Sequence, residues 1–214
     1  MSHSPAPSHD SGAKHRPSAG MPLLAALEVV AKLRREEIVV TTMGSAREWP
    51  KLSQHPLDFQ YLPSAMGHAP ALALGLALAQ PRREVICFNG DGGMLMSLGA
   101  LVTIVAAGAK NLTLIVIDNG LYEVTGGQAT AGAVERERSG GGCDFAAMAQ
   151  AAGFRTTRHF VDLDEWQGKA GETLALPGPR FIQLYVRPVG AEYHLPAPTP
   201  LPERIARFRA ALKP

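Results

Sequence analysis

The sequence has little cysteine and no excess of one charge. Its 214 residues include only Cys87 and Cys143, and they form no CxxC pair. A disulfide scaffold, a structural zinc site and a cysteine-bound iron–sulfur cluster are therefore disfavoured. Lys and Arg exceed Asp and Glu by only 21 to 19, so no broad positive field exists to attract nucleic acid. The hydrophobic fraction of 46% is normal for a globular domain.

The first residues lack apolar side chains. Residues 1–20 contain no Leu, Ile, Val or Phe, which predicts a disordered N-terminal tail followed by one domain over residues 21–214. The tail has no apolar stretch of the kind found in a secretory signal, and we expect a cytoplasmic protein. His3, His9 and His15 could bind a metal, but the composition favours a solvated tail.

Long uncharged runs are scarce as well. The stretch between Asp91 and Lys110 carries no charge, and its length is at the lower limit for a membrane span. Several glycines interrupt it, and its larger apolar residues recur at helical spacing. We therefore predict a buried crossover helix and no membrane span, with a buried stripe formed by Leu95, Leu98, Val102 and Val105.

Short apolar runs alternate with helical patterns along the rest of the chain. This alternation predicts an α/β fold, a three-layer αβα arrangement with a mostly parallel sheet covered on both faces. Strands are expected over residues 38–42, 85–88, 112–117 and 180–186. A first helix is expected from about Met21, with an apolar face of Leu23, Leu27, Val30 and Leu33. Further helices are expected over residues 66–79, 145–153 and 202–212.

Three of the predicted strands end in glycine, serine or acidic residues. These ends are Met43-Gly44-Ser45, Gly90-Asp91-Gly92-Gly93 and Asp118-Asn119-Gly120. Parallel sheets bind ligands outside the carboxyl ends of their strands. Glycine lets backbone N–H groups approach a phosphate closely, and a helix expected from about Met94 would direct its N-terminus to the same place. Asp91 and Asn119 offer oxygen ligands of the kind Mg²⁺ prefers, so the residues predict a diphosphate held by a metal.

Competing phosphate motifs fail on spacing. A dinucleotide fingerprint would need a third glycine where Leu95 stands, and no GxxxxGK[ST] sequence occurs. Taken alone, Gly90-Asp91-Gly92 is also compatible with a tight turn between a strand and a helix.

The longer pattern resembles the cofactor motif of thiamine-diphosphate enzymes. It consists of Gly90-Asp91-Gly92, a predicted helix and strand, and then Asp118-Asn119. The resemblance implies that Asp91, Asn119 and the backbone carbonyl of Leu121 bind Mg²⁺. The family has an asparagine pair at this point, and Asp118 replaces its first member.

Other segments are similar to the same family in the expected order. Ser64-Ala65-Met66-Gly67-His68-Ala69 looks like the family segment in which a bulky residue holds the cofactor in its bent form and a nearby carbonyl meets the aminopyrimidine ring. Met43-Gly44-Ser45 looks like the first diphosphate-contacting turn. Met66 could otherwise be a core residue, and Ser45 a helix cap. The resemblance implies a cofactor-binding set of Gly44, Ser45, Ser64, Met66, Asp91, Gly92, Gly93, Asn119 and Leu121.

Within the family, residues 118–128 are closest to phosphonopyruvate and sulfopyruvate decarboxylases. The run ends in Gly126-Gly127-Gln128 and is followed by Thr130. The resemblance implies decarboxylation of a small 2-oxo acid with thiamine diphosphate and Mg²⁺. It covers only the diphosphate-binding half of the family. The activating Glu belongs to a separate pyrimidine-binding domain, so no catalytic residue is assigned in this chain and a partner subunit is implied.

Several alternatives remain open. The chain could serve a carboligase of the acetolactate-synthase type, or it could be a non-catalytic cofactor-binding protein. His68 could contact substrate or cap the following helix, and Glu123 could be a surface residue. The loop at residues 135–142, with Arg136 and Arg138, could be an anion-binding lid or a solvated loop.

Overall fold

The computed structural model of this protein describes residues 20–133, 142–189 and 199–213. The predicted tail, apart from Gly20, lies outside the described residues, and so does the 135–142 loop except for Gly142.

A parallel sheet of six strands forms the centre of the fold. Its strands are β1 (Ile38–Thr41), β2 (Asp58–Gln60), β3 (Val85–Gly90), β4 (Leu112–Asp118), β7 (Thr156–Phe160) and β8 (Arg180–Tyr185). The order across the sheet is β2-β1-β3-β4-β8-β7, and every neighbouring pair is parallel. Because β1, β3 and β4 are adjacent, their carboxyl ends meet at one edge. A small antiparallel hairpin of β5 (Leu121–Tyr122) and β6 (Gln128–Ala129) follows β4.

Helices cover both faces of this sheet. They are α1 (Leu23–Leu33), α2 (Met43–Glu48), α3 (Ala69–Ala79), α4 (Asp91–Leu95), α5 (Gly99–Ala107), α6 (Phe145–Ala152), α7 (Leu163–Ala175) and α8 (Leu201–Ala211). Alternate strand residues face opposite layers, as the period of two requires. Val40, Cys87 and Leu114 pack with α3, α5, α6 and α8, whereas Ile86 and Ile115 pack with α1 and α7. The predicted three-layer αβα fold is therefore confirmed.

The predicted crossover helix is wrong in three respects. It is split into α4 and α5, and α4 already begins at Asp91, not near Met94. The predicted stripe is also only partly buried: Leu95 and Val105 pack against the core, but Leu98 is 37% and Val102 60% exposed. Leu101 and Ile104 are buried in their place. Since α5 is apolar around its whole circumference, periodicity could not select the buried side.

The remaining differences lie in short or polar elements. Strands β2 and β7 and helix α7 were not expected, and helix α3 begins at Ala69, not at residue 66. The apolar face of the last helix is only partly buried, because Phe208 is buried but Ile205 is 38% exposed. The buried Arg204 joins that face and donates to the carbonyls of Gln60 and Leu62. In the part of the chain that the structure describes, none of the helices is long and apolar enough to cross a bilayer.

Candidate functional site

A pocket lies at the edge where β1, β3 and β4 end. It encloses about 610 Å³ of empty space, part of it open to solvent. Eight of the nine residues expected to bind the cofactor line it: Gly44, Ser45, Met66, Asp91, Gly92, Gly93, Asn119 and Leu121. Ser64 does not line the pocket, and its hydroxyl lies 3.8 Å from the Met43 Sδ atom, which does belong to the lining.

Asp91 is the most buried acid of this lining. It follows β3 directly, begins α4 and is 2% exposed. The hydroxyl of Thr130 donates a hydrogen bond of 3.1 Å to its Oδ2 atom. Burial, reinforced by the nearby Asp118, raises the pKa of the Asp91 carboxyl to about 7. A cation bound beside it would favour the ionised form and offset the cost of burying the charge.

Asn119 and Glu123 are joined in the loop after β4. The Asn119 Nδ2 group donates to Glu123 Oε2 over 2.6 Å, and the Leu121 N–H donates to Asn119 Oδ1 over 2.9 Å. The other Glu123 oxygen accepts from the Val189 N–H over 2.6 Å. Glu123 is therefore a pocket residue that links this loop to the segment after β8, which the sequence left undecided.

Asp118 serves the sheet at this edge and does not line the pocket. It is 3% exposed, and its Oδ2 atom accepts from Gln183 Nε2 over 2.8 Å. Gln183 also accepts from the Ala146 N–H over 3.2 Å. Asp118, which stands where the family has an asparagine, therefore joins β4 to β8. Gln183 in turn joins β8 to α6.

The glycines after β3 leave room for close neighbours. A methyl group at Gly92 would overlap the Tyr122 ring, and one at Gly93 would lie 2.9 Å from Asn89 Oδ1. The glycines thus leave the space that the Tyr122 ring and the Asn89 side chain occupy beside this turn. The Asn89 Nδ2 atom is buried and has no hydrogen-bond partner among the residues that the structure describes. An orphaned buried donor next to this turn is compatible with an anionic ligand at the edge.

The turn after β1 explains the position of Ser45. Thr42 and Ser45 form a capping box at the start of α2: the Ser45 hydroxyl donates to the Thr42 carbonyl over 2.6 Å and accepts from its N–H over 3.2 Å. Ser45 therefore caps the helix and also lines the pocket. On the other side, Met66 is 41% exposed, and the His68 Nδ1 atom lies 3.1 Å from the Met66 carbonyl.

The charges of the lining suit a cation together with an anion. Of the residues described, those lining the pocket include Asp91 and Glu123 but no Lys, Arg or His. The described ranges also hold no cluster of three or more His, Cys, Asp or Glu side chains that could bind a metal. A metal here would need the mixed set of a carboxylate, an amide oxygen and a backbone carbonyl. Mg²⁺ binds such oxygen ligands and completes its shell with phosphate and water, so the residues present fit the implied group.

Three residues at this edge were missed as site residues. Tyr122, Glu123 and Thr130 contact Gly92, Asn119 and Asp91, respectively. The only available signal was their place in the run that ends with Gly126-Gly127-Gln128 and Thr130, and this run by itself indicated only a branch of the family.

Known proteins share both the fold and the sequence of this chain. Over 190 residues it is 38% identical to phosphonopyruvate decarboxylase of Streptomyces viridochromogenes, which covers 87% of this chain and 45% of that protein. Over 170 residues it is 35% identical to the sulfopyruvate decarboxylase subunit beta of Methanothermobacter thermautotrophicus, covering 79% of this chain and 84% of that subunit.

A solved structure and a family model agree with these relatives. The X-ray structure of a putative thiamin diphosphate-dependent enzyme from Mycobacterium smegmatis has the same fold, with a TM-score of 0.60 and 22% identity over 82% of this chain and 34% of that one. The chain spans about half the length, 45% and 47%, of the two Streptomyces phosphonopyruvate decarboxylases it matches. Residues 39–184 match the model of the thiamine pyrophosphate enzyme, C-terminal TPP binding domain. The chain therefore belongs to the thiamine pyrophosphate enzyme family, in which it corresponds to the C-terminal TPP binding domain.

Proposed function

We propose that this chain is the diphosphate-binding subunit of a thiamine-diphosphate- and Mg²⁺-dependent decarboxylase of small 2-oxo acids. A separate pyrimidine-binding subunit would complete its active site. The observation that carries the proposal is a single pocket at the ends of three strands. The turn after β1, the turn after β3 with the buried Asp91, and the loop after β4 with Asn119 all line it. The relatives named phosphonopyruvate decarboxylase and sulfopyruvate decarboxylase support an anionic 2-oxo acid as substrate.

Each residue of the expected cofactor-binding set has a proposed task toward the cofactor. When bound, thiamine diphosphate supplies the nucleophilic carbon and the electron sink that decarboxylation of a 2-oxo acid requires. Asp91, Asn119 and the Leu121 carbonyl would hold Mg²⁺ against the diphosphate. The remaining contacts would come from the turns and from the segment before α3, through Gly44, Ser45, Gly92, Gly93, Ser64 and Met66.

The surface of the chain supports a partner subunit. Helices α3 and α5 are apolar on all sides, a pattern expected for helices that are covered on all sides. Yet Leu78 on α3 is 54% exposed and Val102 on α5 is 60% exposed, and Met96 at the pocket is 49% exposed. Exposed apolar side chains concentrated on such helices mark interaction sites. We propose that the pyrimidine-binding subunit covers these helices and brings the activating Glu to the pocket.

The partnership can be tested by co-expression. The chain should co-purify with the product of its neighbouring open reading frame, and the complex should release CO₂ from sulfopyruvate, phosphonopyruvate or pyruvate. A complex that carries Asp91→Ala is the matched control and should be inactive. Activity from the purified chain alone would contradict the split active site. A product in which the decarboxylated substrate is bonded to a second carbonyl compound, with no free aldehyde, would identify a carboligase. A complex that binds the cofactor but turns over none of the acids would favour a non-catalytic protein.

A further inference from the structure

The β5–β6 hairpin is closed by its own backbone hydrogen bonds. Leu121 pairs with Ala129 and Tyr122 with Gln128. The Gly127 N–H donates to the Tyr122 carbonyl over 2.9 Å. At the base of the hairpin, the Thr130 N–H donates to the Gly120 carbonyl over 2.8 Å. The hairpin therefore begins beside Asn119, on the end of β4, and returns to the same point at Thr130.

Thr130 connects this hairpin to the turn after β3. Its hydroxyl donates to Asp91 Oδ2 over 3.1 Å, and both residues are buried, with 1% and 2% of their surface exposed. Because water does not reach this bond, a hydroxyl that is lost cannot be replaced by solvent, and the buried acceptor would be left less satisfied. Thr130 thus bonds to Gly120 in one loop and to Asp91 in the other.

We propose that Thr130 is a positioning residue for the cation site. This inference rests on the proposed function, since Asp91 and Asn119 are its proposed cation ligands. The two ligands follow different strands, Asp91 after β3 and Asn119 after β4, and Thr130 joins their segments by one side-chain and one backbone hydrogen bond. Its hydroxyl fixes the rotation of the Asp91 carboxylate, while its N–H fixes the hairpin base next to Asn119. Hydrogen-bond partners of metal ligands commonly control metal affinity in this way.

A purely structural role for Thr130 makes a different prediction. The Thr130 hydroxyl also accepts from the Ala133 N–H over 3.4 Å, in the manner of a helix cap. If capping were its only task, a variant without the hydroxyl would melt at a lower temperature but would bind Mg²⁺ as the wild type does. The positioning role instead requires a loss of Mg²⁺ affinity.

Thr130→Val and Thr130→Ser form the decisive pair of variants. Valine keeps the shape of threonine and removes the hydroxyl, whereas serine keeps the hydroxyl. The full chain, co-purified with its partner subunit, is titrated with Mg²⁺ at saturating thiamine diphosphate, and the thermal shift gives the apparent affinity. We expect Thr130→Val to weaken Mg²⁺ binding about 10- to 100-fold, in the range reported for partners of metal ligands. Thr130→Ser should restore most of the affinity.

The outcomes separate this inference from the proposed function. If the wild-type complex shows no Mg²⁺-dependent shift with thiamine diphosphate, the proposed function fails. If the wild type responds and Thr130→Val binds Mg²⁺ equally well, the positioning role fails. Should Thr130→Val not fold, Thr130→Ala replaces it: a loss of Mg²⁺ affinity that Thr130→Ser does not share supports the role of the hydroxyl, and wild-type affinity in Thr130→Ala overturns it.

Discussion

The Tyr122 ring lies directly against Gly92, so that a methyl group at position 92 would overlap Cε1 and come within 2.6 Å of Cδ1. Tyr122 belongs to the hairpin after β4, and Gly92 to the turn after β3. Glycine is thus required at position 92 by the close approach of a ring from the neighbouring loop, and the backbone φ there is not positive. This contact and the Thr130–Asp91 hydrogen bond hold the two loops together.

Gly92→Ala should destabilise the chain by displacing Tyr122. Overpacking of this kind costs about 1–3 kcal/mol, and it should appear as a lower urea midpoint with an unchanged slope. Gly90→Ala is the matched control, because Gly90 has a φ of −76° and, among the described residues other than its chain neighbours, no atom lies within 4 Å of an added Cβ. In a double-mutant cycle, Tyr122→Ala should relieve part of the Gly92→Ala penalty. Additive effects would show that the ring is not the cause.

Asp91→Ala should abolish the thermal shift that thiamine diphosphate and Mg²⁺ produce in the assembled complex. The variant removes the only carboxylate among the proposed ligands. Asp162→Ala provides a contrast, because the Asp162 side chain caps α7 by accepting from the Glu165 N–H over 2.9 Å. That variant should lose about 1 kcal/mol of stability and keep the cofactor-dependent shift. An unchanged shift in Asp91→Ala would refute the metal assignment.

Glu123→Ala should weaken cofactor binding more than it lowers turnover. Its two oxygens each accept an N–H, one from Asn119 and one from Val189, so its loss leaves the Asn119 amide held only by the Leu121 N–H among the hydrogen bonds described. Glu123→Gln should give an intermediate effect, because an amide can accept only one of the two bonds. We expect a higher KM for thiamine diphosphate with a smaller change in kcat.

The control for the Glu123 variants is Glu165→Gln on the exposed surface of α7. Within the described residues, the Glu165 side chain pairs only with Lys169. Exposed ion pairs of this kind contribute little to stability. This variant should retain wild-type kinetics. Equal KM values in Glu123→Ala and Glu165→Gln would show that Glu123 does not position Asn119.

Cys87 should resist alkylation in the native protein. It is fully buried in β3, and burial raises the pKa of its thiol, while the thiolate is the reactive form. Incubation with iodoacetamide at pH 8, followed by peptide mass spectrometry, should find Cys87 unmodified until urea is added. Labelling of Cys87 at the rate of the unfolded chain would contradict the packing described for this strand.

The sequence was most informative where chemistry and burial coincide. The strands next to the pocket are continuous apolar runs such as Val85-Ile86-Cys87-Phe88, which is typical of strands buried on both faces. A glycine-containing segment follows each of these strands. Both the sheet and the edge at which these strands end could therefore be predicted. Eight of the nine expected residues line one pocket, although their roles toward the cofactor stay predictions.

The sequence was least informative at the sheet edges and in small tertiary contacts. Strand β2 has three residues, and β7 exposes Arg158 and His159 on the last strand of the sheet, so neither shows a clear apolar pattern. The contacts of Tyr122, Glu123 and Thr130 join residues from separate loops, and no local periodicity reports them. Helix α5 carries apolar residues on every side, and its buried face was therefore misassigned.

The distribution of charge around the pocket has a thermodynamic consequence. Within the described ranges its lining has two carboxylates and no cationic side chain, so no side-chain charge of the lining attracts a diphosphate. A divalent cation and a diphosphate would each bind weakly alone and tightly together, and linkage makes this coupling equal in both directions. Cofactor occupancy would then follow the concentration of free Mg²⁺, and a chelator would release the cofactor without competing for its site.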